Sequence, residues 1–305
     1  MTPTRPPIFL LSTGRAGSTV LFKVMTWHPE VAYLTGFADP GLFQIPIRRL
    51  QKSGALPTLK LNRLILRAAD LPCLGQLVRY VGKPVEVYPF WQQCTGGIIN
   101  PFRDLRADDV TDRNRVRAGQ VPSELCTGSR TIPLFKMTGW PRVGFLNEIF
   151  PEAIFIHLIR DGRAVANSFM NVGFWDGWQG PRQWRCGQLP PHYQAEWEEY
   201  GRSFVALAGI HWKILVDAFE KACAAVAPDR WWTMRYEDFC AAPREVLKDL
   251  CEYLELEWSQ RLDKAIGSTE LKSRNNKWRD DLSPQQQAVL EQVLDSHLRK
   301  YGYLE

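Results

Sequence analysis

Eight residues near the start of the chain have the composition of an anion-binding loop. Positions 12–19 read Ser-Thr-Gly-Arg-Ala-Gly-Ser-Thr, follow a short apolar run and precede a segment with helical patterning. The two glycines permit a tight turn and close approach to a ligand, and N–H groups at a helix start face bound anions. The arginine adds positive charge, and the last two residues add hydroxyl donors. Two interpretations are open for this stretch alone: a phosphate cradle, and an ordinary turn in which Ser18 caps the helix.

Two later strand ends carry residues that could bind a second anionic group. An apolar run over 153–159 ends at Arg160, and Ser168 follows eight residues later, about two turns into the next predicted helix. An arginine and a hydroxyl placed in this way could hold a second phosphate. Another predicted strand, over 231–236, ends at Tyr236. Taken alone, the Arg-Asp-Gly-Arg string that begins at Arg160 is a common loop string and is better explained as a salt-bridged turn.

The elements that must position these residues are those of an α/β fold. The sequence predicts buried strands, with helices between them, over residues 8–11, 31–34, 133–137, 153–159 and 231–236. No internal repeat or linker divides the chain, so we expect one domain over residues 1–305. Its central sheet should be mostly parallel and flanked by helices, with ligands bound at the carboxyl ends of the strands.

Residues 40–130 are the least regular part, and we expect them to form an insertion. We expect it to be largely helical, with helices over 59–71 and 74–81, an aromatic loop over 88–93 and a solvated charged run over 103–117. By its position it could serve as a lid or an acceptor pocket.

The second half contains two long apolar patterns. One helix is predicted over 194–226, and a polar loop over 268–281 precedes a last helix, which begins with Ser283 as N-cap and Pro284 at its first position.

The composition excludes several classes of protein. The net charge is +5, with no basic block and no basic–aromatic repeat, which argues against a nucleic-acid partner. The seven cysteines are odd in number and include no C-x-x-C pair, which argues against a disulfide framework or a zinc site. The first strand starts too early for a signal peptide, and no apolar run reaches membrane-spanning length. We therefore expect a cytoplasmic protein.

Together and in this order, the motifs resemble those of the sulfotransferases that use 3′-phosphoadenosine-5′-phosphosulfate. The best match is to the carbohydrate and tyrosylprotein branch and its bacterial relatives. The matching stretches are residues 12–19 for the 5′-phosphosulfate loop, 155–168 for the 3′-phosphate motif, 235–239 for the Tyr-Glu-Asp strand end and 275–283 for the loop that closes over the nucleotide. The resemblance covers residues 8–31 and 133–300, and it implies a P-loop-like fold.

The resemblance also implies a reaction and its residues. A sulfuryl group would pass in line from the donor to an acceptor hydroxyl or amine, without a metal ion. Arg15, with the loop N–H groups, would neutralise charge on the bridging oxygen, and Lys136 matches a lysine near that oxygen, although it could also be a solvent-facing strand-end residue. The implied donor contacts are Arg15, Ala16, Gly17, Ser18 and Thr19 for the 5′ end, Arg160 and Ser168, with Arg163 as a further candidate, for the 3′-phosphate, and Tyr236, Asn275, Lys277, Trp278 and Arg279 elsewhere.

The general base is not assigned by the sequence, because no carboxylate stands where the tyrosylprotein branch carries its glutamate. Asp39 is the first candidate, although the following proline also suits a simple turn at this position. His28 is the second, with capping of the first helix as its alternative role. His192 and Glu86 are the remaining candidates.

Aromatic residues in loop or unmatched segments could form a stacking surface for a sugar or an apolar alcohol, or else belong to local core. They are Tyr88, Phe90, Trp91, Trp175, Trp178 and Trp184. The acceptor is accordingly expected to be a carbohydrate, a lipid or another small molecule.

Two alternative functions remain at this point. A Walker-type nucleotide-dependent kinase fits less well, because position 17 holds glycine where the motif requires lysine. A non-catalytic protein that binds an adenosine phosphate would keep the cradle and lack the base.

Overall fold

A computed structural model describes residues 5–39, 57–71, 78, 82–99, 102–181, 184 and 186–305. Within these residues the strands β1 (Ile8–Ser12), β2 (Val31–Tyr33), β3 (Ile132–Thr138), β4 (Ile154–Ile159) and β5 (Trp231–Arg235) form one sheet. The strand order is β2-β3-β1-β4-β5, and every neighbouring pair is parallel. The predicted parallel sheet of a P-loop-like α/β fold is thus confirmed.

The inner strands of the sheet are buried because they are apolar on both faces, whereas the edge strand β5 is partly exposed. Every residue of β1 is buried, and Ile8 is aligned with Leu134 on one side and with Ile154 on the other. Parallel strands are covered on both faces by their crossover helices, so near-continuous runs of Ile, Leu and Phe are the sequences that form them.

Helices surround this sheet. In chain order they are α1 (Ser18–Met25), α2 (Pro57–Ala69), α3 (Tyr88–Thr95), α4 (Asp112–Gly119), α5 (Val121–Leu125), α6 (Val143–Ile149), α7 (Gly162–Met170), α8 (Pro191–Glu199), α9 (Phe204–Ala224), α10 (Tyr236–Ala241), α11 (Pro243–Tyr253), α12 (Gln260–Gly267), α13 (Lys277–Asp281) and α14 (Pro284–Lys300). Single turns of 3₁₀ helix lie at Gly36–Ala38, Ala107–Asp109, Gly177–Gln179 and Pro228–Arg230. No helix in the described ranges is both long and apolar enough to cross a membrane.

The topology creates a crevice next to β1. The connection that leaves β1 runs to β2 on one side, whereas the connection that leaves β4 runs to β5 on the other. Ligands of open α/β sheets bind where neighbouring strands send their connections in opposite directions. The loops that follow β1 and β4 therefore face one another across a natural binding position.

The last helix forms as the sequence predicts. The Ser283 hydroxyl accepts a hydrogen bond from the Gln286 N–H, and the Gln286 side chain accepts one from the Ser283 N–H. Pro284 occupies the first turn. Leu290, Leu294 and Leu298 are buried in a cluster that α14 shares with α7 and α9.

Two local elements differ from those expected from the sequence. The aromatic loop predicted over 88–93 is wrong, because these residues begin helix α3, whose Trp91 ring packs edge-on against Phe135 at 5.0 Å. The helix predicted over 194–226 is broken into α8 and α9. Gly201 and Arg202 have positive φ there, and Ser203 caps α9.

The polar loop expected over 268–281 ends in the short helix α13. The helix expected over 74–81 lies almost entirely outside the described residues.

Candidate functional site

The loop between β1 and α1 has the backbone shape of an anion cradle. Gly14 and Gly17 both have φ of 87°, and Arg15 between them has φ of 56°. Successive residues of this kind turn N–H groups toward a common concavity. Gly17 occupies the N-cap position of α1, and the Ser18 hydroxyl instead accepts a hydrogen bond from the Ser12 hydroxyl at 2.9 Å. The alternative in which Ser18 caps an ordinary turn is therefore wrong.

Gly17 is required by a neighbour as well as by its backbone angle. A Cβ at this position would lie 2.5 Å from the ring of Tyr236 at the start of α10. The same ring lies under the guanidinium of Arg160, whose Cζ is 4.3 Å from the ring centroid. Tyr236 thus joins the cradle to the end of β4, and the structure brings together the three strand ends singled out in the sequence.

Arg160 and Ser168 meet the cradle directly. Arg160 Nη1 donates to the Arg15 carbonyl at 2.9 Å, and Arg15 Nε donates to the Ser168 hydroxyl at 2.8 Å. Ser168 can be reached because it lies in the second turn of α7, which begins immediately after the β4 loop. The two predicted phosphate sites are therefore adjacent, and one arginine contacts both.

Arg160 is held in place from the opposite side by the C-terminal segment. Its Nε donates to Asn275 Oδ1 at 2.8 Å, and the Asn275 amide also bonds the Glu237 carboxylate. Burial lowers the pKa of Arg160 below its ordinary value, because the charged guanidinium is partly removed from water. An incoming anion would restore favourable interactions to this desolvated cation.

The segment over 268–281 is tied to α7 by a polar bridge. Asp281 accepts hydrogen bonds from Asn167 Nδ2 at 2.8 Å and from Lys277 Nζ at 3.0 Å. Asn167 directly precedes Ser168, so this bridge fixes the segment beside the candidate 3′-phosphate site. Lys277 lines the cavity that the segment borders.

Besides Asn275, which bonds Arg160 from outside the cavity lining, three of the expected donor contacts do not line the cavity. Ala16 is completely buried and does not line the cavity. Trp278 is buried with its ring centroid 5.2 Å from the guanidinium of Arg163, which itself forms an ion pair with Asp161 at 2.7 Å. Arg279 is exposed, also packs against Trp278, and does not line the cavity.

Lys136 in β3 forms a close ion pair with a residue from the insertion. Its Nζ lies 2.6 Å from Glu86 Oε2, and the two side chains are only 6% and 19% exposed. Because Lys136 is buried, its interpretation as a solvent-facing strand-end residue is wrong. Both residues line the cavity.

Tyr88 completes this group. Its hydroxyl lies 2.9 Å from Glu86 Oε1 and 2.8 Å from the Thr138 carbonyl, and it accepts from the Thr138 N–H at 2.8 Å. Burial, with a contribution from the Glu86 charge, raises the pKa of Tyr88 to about 12. The phenol therefore stays protonated and acts as a donor. Glu86 is oriented by the two groups, Lys136 and Tyr88, and remains the carboxylate nearest to the predicted catalytic lysine.

The other candidate bases do not line the cavity. Asp39 follows the turn Gly36–Ala38 and donates its N–H to the Gly36 carbonyl. His28 is 1% exposed, with Nε2 donating to the Glu257 carbonyl at 2.8 Å and Nδ1 accepting from Glu30, and burial lowers its pKa. His192 is exposed on α8. Of the four candidates, the structure brings only Glu86 to the site.

The cavity has a volume of about 1020 Å³. This is at the upper end of the range of about 300–1,000 Å³ that is usual for one small ligand, so two substrates can be accommodated. Among the described residues it is lined by two carboxylates, Glu86 and Glu270, and by seven cationic side chains. The cations are Arg15, Lys136, Arg142, Arg160, Lys272, Arg274 and Lys277. This excess of positive charge favours a ligand that carries several negative charges.

The aromatic candidates divide between cavity and core. Tyr88 and Trp175 line the cavity, whereas Phe90, Trp91 and Trp184 are buried and do not. Trp178 is 64% exposed and also lies outside the lining.

Several lining residues were not singled out in the sequence. Thr138 ends β3, and a polar residue at a strand end is a recognisable signal. Arg142 donates to the carbonyls of Ile98, Thr138 and Trp140. Phe169 and His211 lie on helices with apolar patterning, which resembles ordinary core.

Comparison with known proteins gives one family and one fold. A family profile described as the sulfotransferase family matches residues 6–260. Similar solved structures include the sulfotransferase domain of an olefin synthase from Synechococcus (18% identity, 97% of this chain and 95% of that chain, TM-score 0.50). Sulfotransferase STF9 from Mycobacterium avium is 16% identical, with 98% of this chain and 77% of that chain covered and a TM-score of 0.55. Sulfotransferase STF1 from Mycobacterium tuberculosis is 14% identical, with 96% of this chain and 76% of that chain covered and a TM-score of 0.52. No curated protein sequence matches the chain.

Proposed function

This chain belongs to the sulfotransferase family, and from that premise we propose that it transfers a sulfuryl group from 3′-phosphoadenosine-5′-phosphosulfate to the hydroxyl of a small acceptor. The observation that supports this donor most strongly is the contact of Arg160 with the cradle at Arg15. It gives two adjacent anion sites, and a donor with phosphates on both the 5′ and the 3′ carbon needs two.

The cradle is the proposed site of the 5′-phosphosulfate. Backbone N–H groups from Gly17 onward, with the hydroxyls of Ser18 and Thr19, bind the 5′-phosphate. Arg160 and Ser168 bind the 3′-phosphate through charge-assisted hydrogen bonds. Since Arg15 already contacts Ser168 and lies in the cradle, it can neutralise charge at either phosphate.

Glu86 is the proposed general base. It takes the proton of the acceptor hydroxyl while the acceptor oxygen bonds to sulfur and the bond from sulfur to the bridging phosphate oxygen breaks. The products are the sulfated acceptor and adenosine 3′,5′-bisphosphate. Lys136 and Tyr88 hold the carboxylate in one orientation, and Lys136 also stabilises the charge that develops on the bridging oxygen.

The insertion is proposed to build the acceptor side of a single domain that comprises residues 1–305. Its described residues Glu86, Tyr88 and Ile99 line the cavity together with the strand ends. A base that comes from the insertion would couple acceptor binding to chemistry.

The donor assignment is tested by calorimetric binding of adenosine 3′,5′-bisphosphate, adenosine 5′-monophosphate and ATP. The bisphosphate should bind most tightly. Arg160→Ala should weaken it about 10–100-fold, the value of a charge-assisted hydrogen bond of about 1.5–3 kcal/mol, and should change monophosphate binding much less. Arg244→Ala, at an exposed arginine paired with Asp263, is the control. Preference for ATP, or equal losses for both adenosine phosphates, would contradict the assignment.

The base is tested with Glu86→Gln, which keeps the shape and one of the two acceptor oxygens, those that face Lys136 and Tyr88, but cannot accept the proton. With labelled donor and an acceptor found by screening, kcat should fall about 10²–10⁴-fold while bisphosphate affinity is retained. Glu196→Gln is a matched control, because Glu196 pairs with Lys213 at the same 2.6 Å and similar burial outside the cavity. A non-catalytic binding protein would bind the bisphosphate and transfer no sulfate in any variant.

A further inference from the structure

The cavity has a second end whose walls are uncharged. Phe169, Trp175 and Leu215 line it, and the last two are 5% and 1% exposed. This end adjoins the cradle, since a Cβ on Gly14 would lie 3.3 Å from the tip of the Phe169 ring. A molecule bound among these side chains would thus lie next to the phosphosulfate position.

Four charged residues of the cavity are engaged by partners of their own. Glu86 and Lys136 are paired with each other, and the Arg142 guanidinium is bonded to backbone carbonyls. Arg160 lies against Tyr236 on the far side of the cradle. Burial lowers the pKa of His211 to about 4, so its imidazole is neutral at pH 7.

His211 is the polar group of the uncharged end. Its ring centroid lies 4.5 Å from that of Phe169, and the residue is 7% exposed. Trp175 Nε1 donates to His211 Nδ1 at 3.3 Å. An indole N–H can only donate, so Nδ1 is the acceptor and the neutral ring carries its proton on Nε2.

His211 Nε2 has no hydrogen-bond partner within the described ranges, while the residue itself lines the cavity. Among the described residues, the fully buried side-chain atoms without a partner are His157 Nε2 and Trp212 Nε1, so the Nε2–H of His211 is open to the cavity. A ligand oxygen at this position would take the place of water as its acceptor.

We propose that this end of the cavity binds an uncharged, mainly apolar alcohol as acceptor, and that His211 donates a hydrogen bond from Nε2 to a second oxygen of that molecule. The inference rests on the proposed function and names its acceptor class. The reacting hydroxyl lies at Glu86, whereas the second oxygen lies among the aromatic rings and fixes the orientation of the acceptor.

The wall chemistry selects against sugars. A saccharide would place several hydroxyls against Phe169 and Leu215, where they would lose water and find no partner. A flat apolar body gains contact with the same rings. The apolar lining extends to the protein surface, because Ile99 and Phe174 also line the cavity and are 42% and 46% exposed.

Three probes test the inference by calorimetry with the full chain saturated with adenosine 3′,5′-bisphosphate. They are 2-naphthol, its analogue 2,6-dihydroxynaphthalene, which has a second oxygen at the far end, and methyl β-glucoside. The diol should bind about 3- to 10-fold more tightly than 2-naphthol, as expected for one added hydrogen bond. The glucoside should bind at least about 10-fold more weakly than 2-naphthol.

Variants separate the role of His211 from simple packing. His211→Phe should abolish the advantage of the diol and leave 2-naphthol within about twofold, and His211→Gln should restore part of the advantage through its amide N–H. Trp175→Phe should reduce the advantage, because the proton is no longer fixed on Nε2. The control His192→Gln, on exposed α8, should change neither affinity. Thermal melts and bisphosphate binding report whether each variant is folded.

Two results would overturn the inference: glucoside binding as tight as that of 2-naphthol, or an unchanged advantage of the diol in both His211→Phe and Trp175→Phe. Failure of the wild-type protein to bind the bisphosphate would instead contradict the proposed function. In that case the three probes, titrated without nucleotide, still test the uncharged end by itself.

Discussion

Replacing Gly17 by alanine should disconnect the cradle from the proposed 3′-phosphate site. The new Cβ would lie 2.5 Å from the Tyr236 ring, and that contact must open by about 0.9 Å to reach the ordinary distance of 3.4 Å. Gly139 provides a matched control, because it has the same φ of 87° and a Cβ there would meet nothing within 4 Å. The two variants share the backbone strain and differ in the collision with Tyr236.

The expected losses of stability follow from the backbone strain and from the collision with Tyr236. A left-handed conformation costs about 1–2 kcal/mol in a residue with a side chain, which corresponds to about 2–4 °C in Tm for a chain of this size. Gly139→Ala should show this loss alone. Gly17→Ala should lose a further 1–3 kcal/mol, roughly the cost of overpacking. Because Arg160 lies on the displaced ring, the affinity for adenosine 3′,5′-bisphosphate should also fall about 10–100-fold.

Thermal melts and calorimetric titration of both variants measure the two effects separately. We expect unchanged bisphosphate affinity in Gly139→Ala and a weaker one in Gly17→Ala. Equal Tm losses together with equal affinities would refute the reasoning, since the Tyr236 ring would then not transmit the change from Gly17 to Arg160.

The C-terminal segment and one buried carboxyl give two more predictions. Asp281→Ala removes the acceptor of Asn167 and Lys277 and should weaken bisphosphate binding several-fold in titration, whereas the exposed neighbour variant Asp280→Ala should not. Burial raises the pKa of Asp104 to about 6, above its value in the unfolded chain, so the native state gains stability as the pH falls from 8 toward 5 and loses it as the pH rises. Asp104→Asn should therefore raise Tm more at pH 8 than at pH 5, by about 1 kcal/mol, which corresponds to about 2 °C; an equal gain at both pH values would contradict the shifted pKa.

Much of the fold and the donor end of the site could be predicted because their signals are local. A buried strand, a glycine turn and a helix start are consecutive at positions 12–19, and φ above zero at Gly14 and Gly17 follows from that order. Arg160 and Ser168 likewise lie on one strand end and the helix that follows it. Parallel strands align their carboxyl ends, so these segments had to meet once the sheet formed.

The sequence by itself therefore determined the family and the parallel sheet, and it pointed to the pair of candidate anion sites. It left the candidate base open among Asp39, His28, His192 and Glu86, because only the tertiary structure shows that Glu86 packs against Lys136 in the cavity. That contact joins residues 50 positions apart across an insertion with no local signature. It also could not distinguish Trp175 in the cavity from Trp91 in the core, since both are apolar and only the tertiary structure decides which face of a helix or loop is covered.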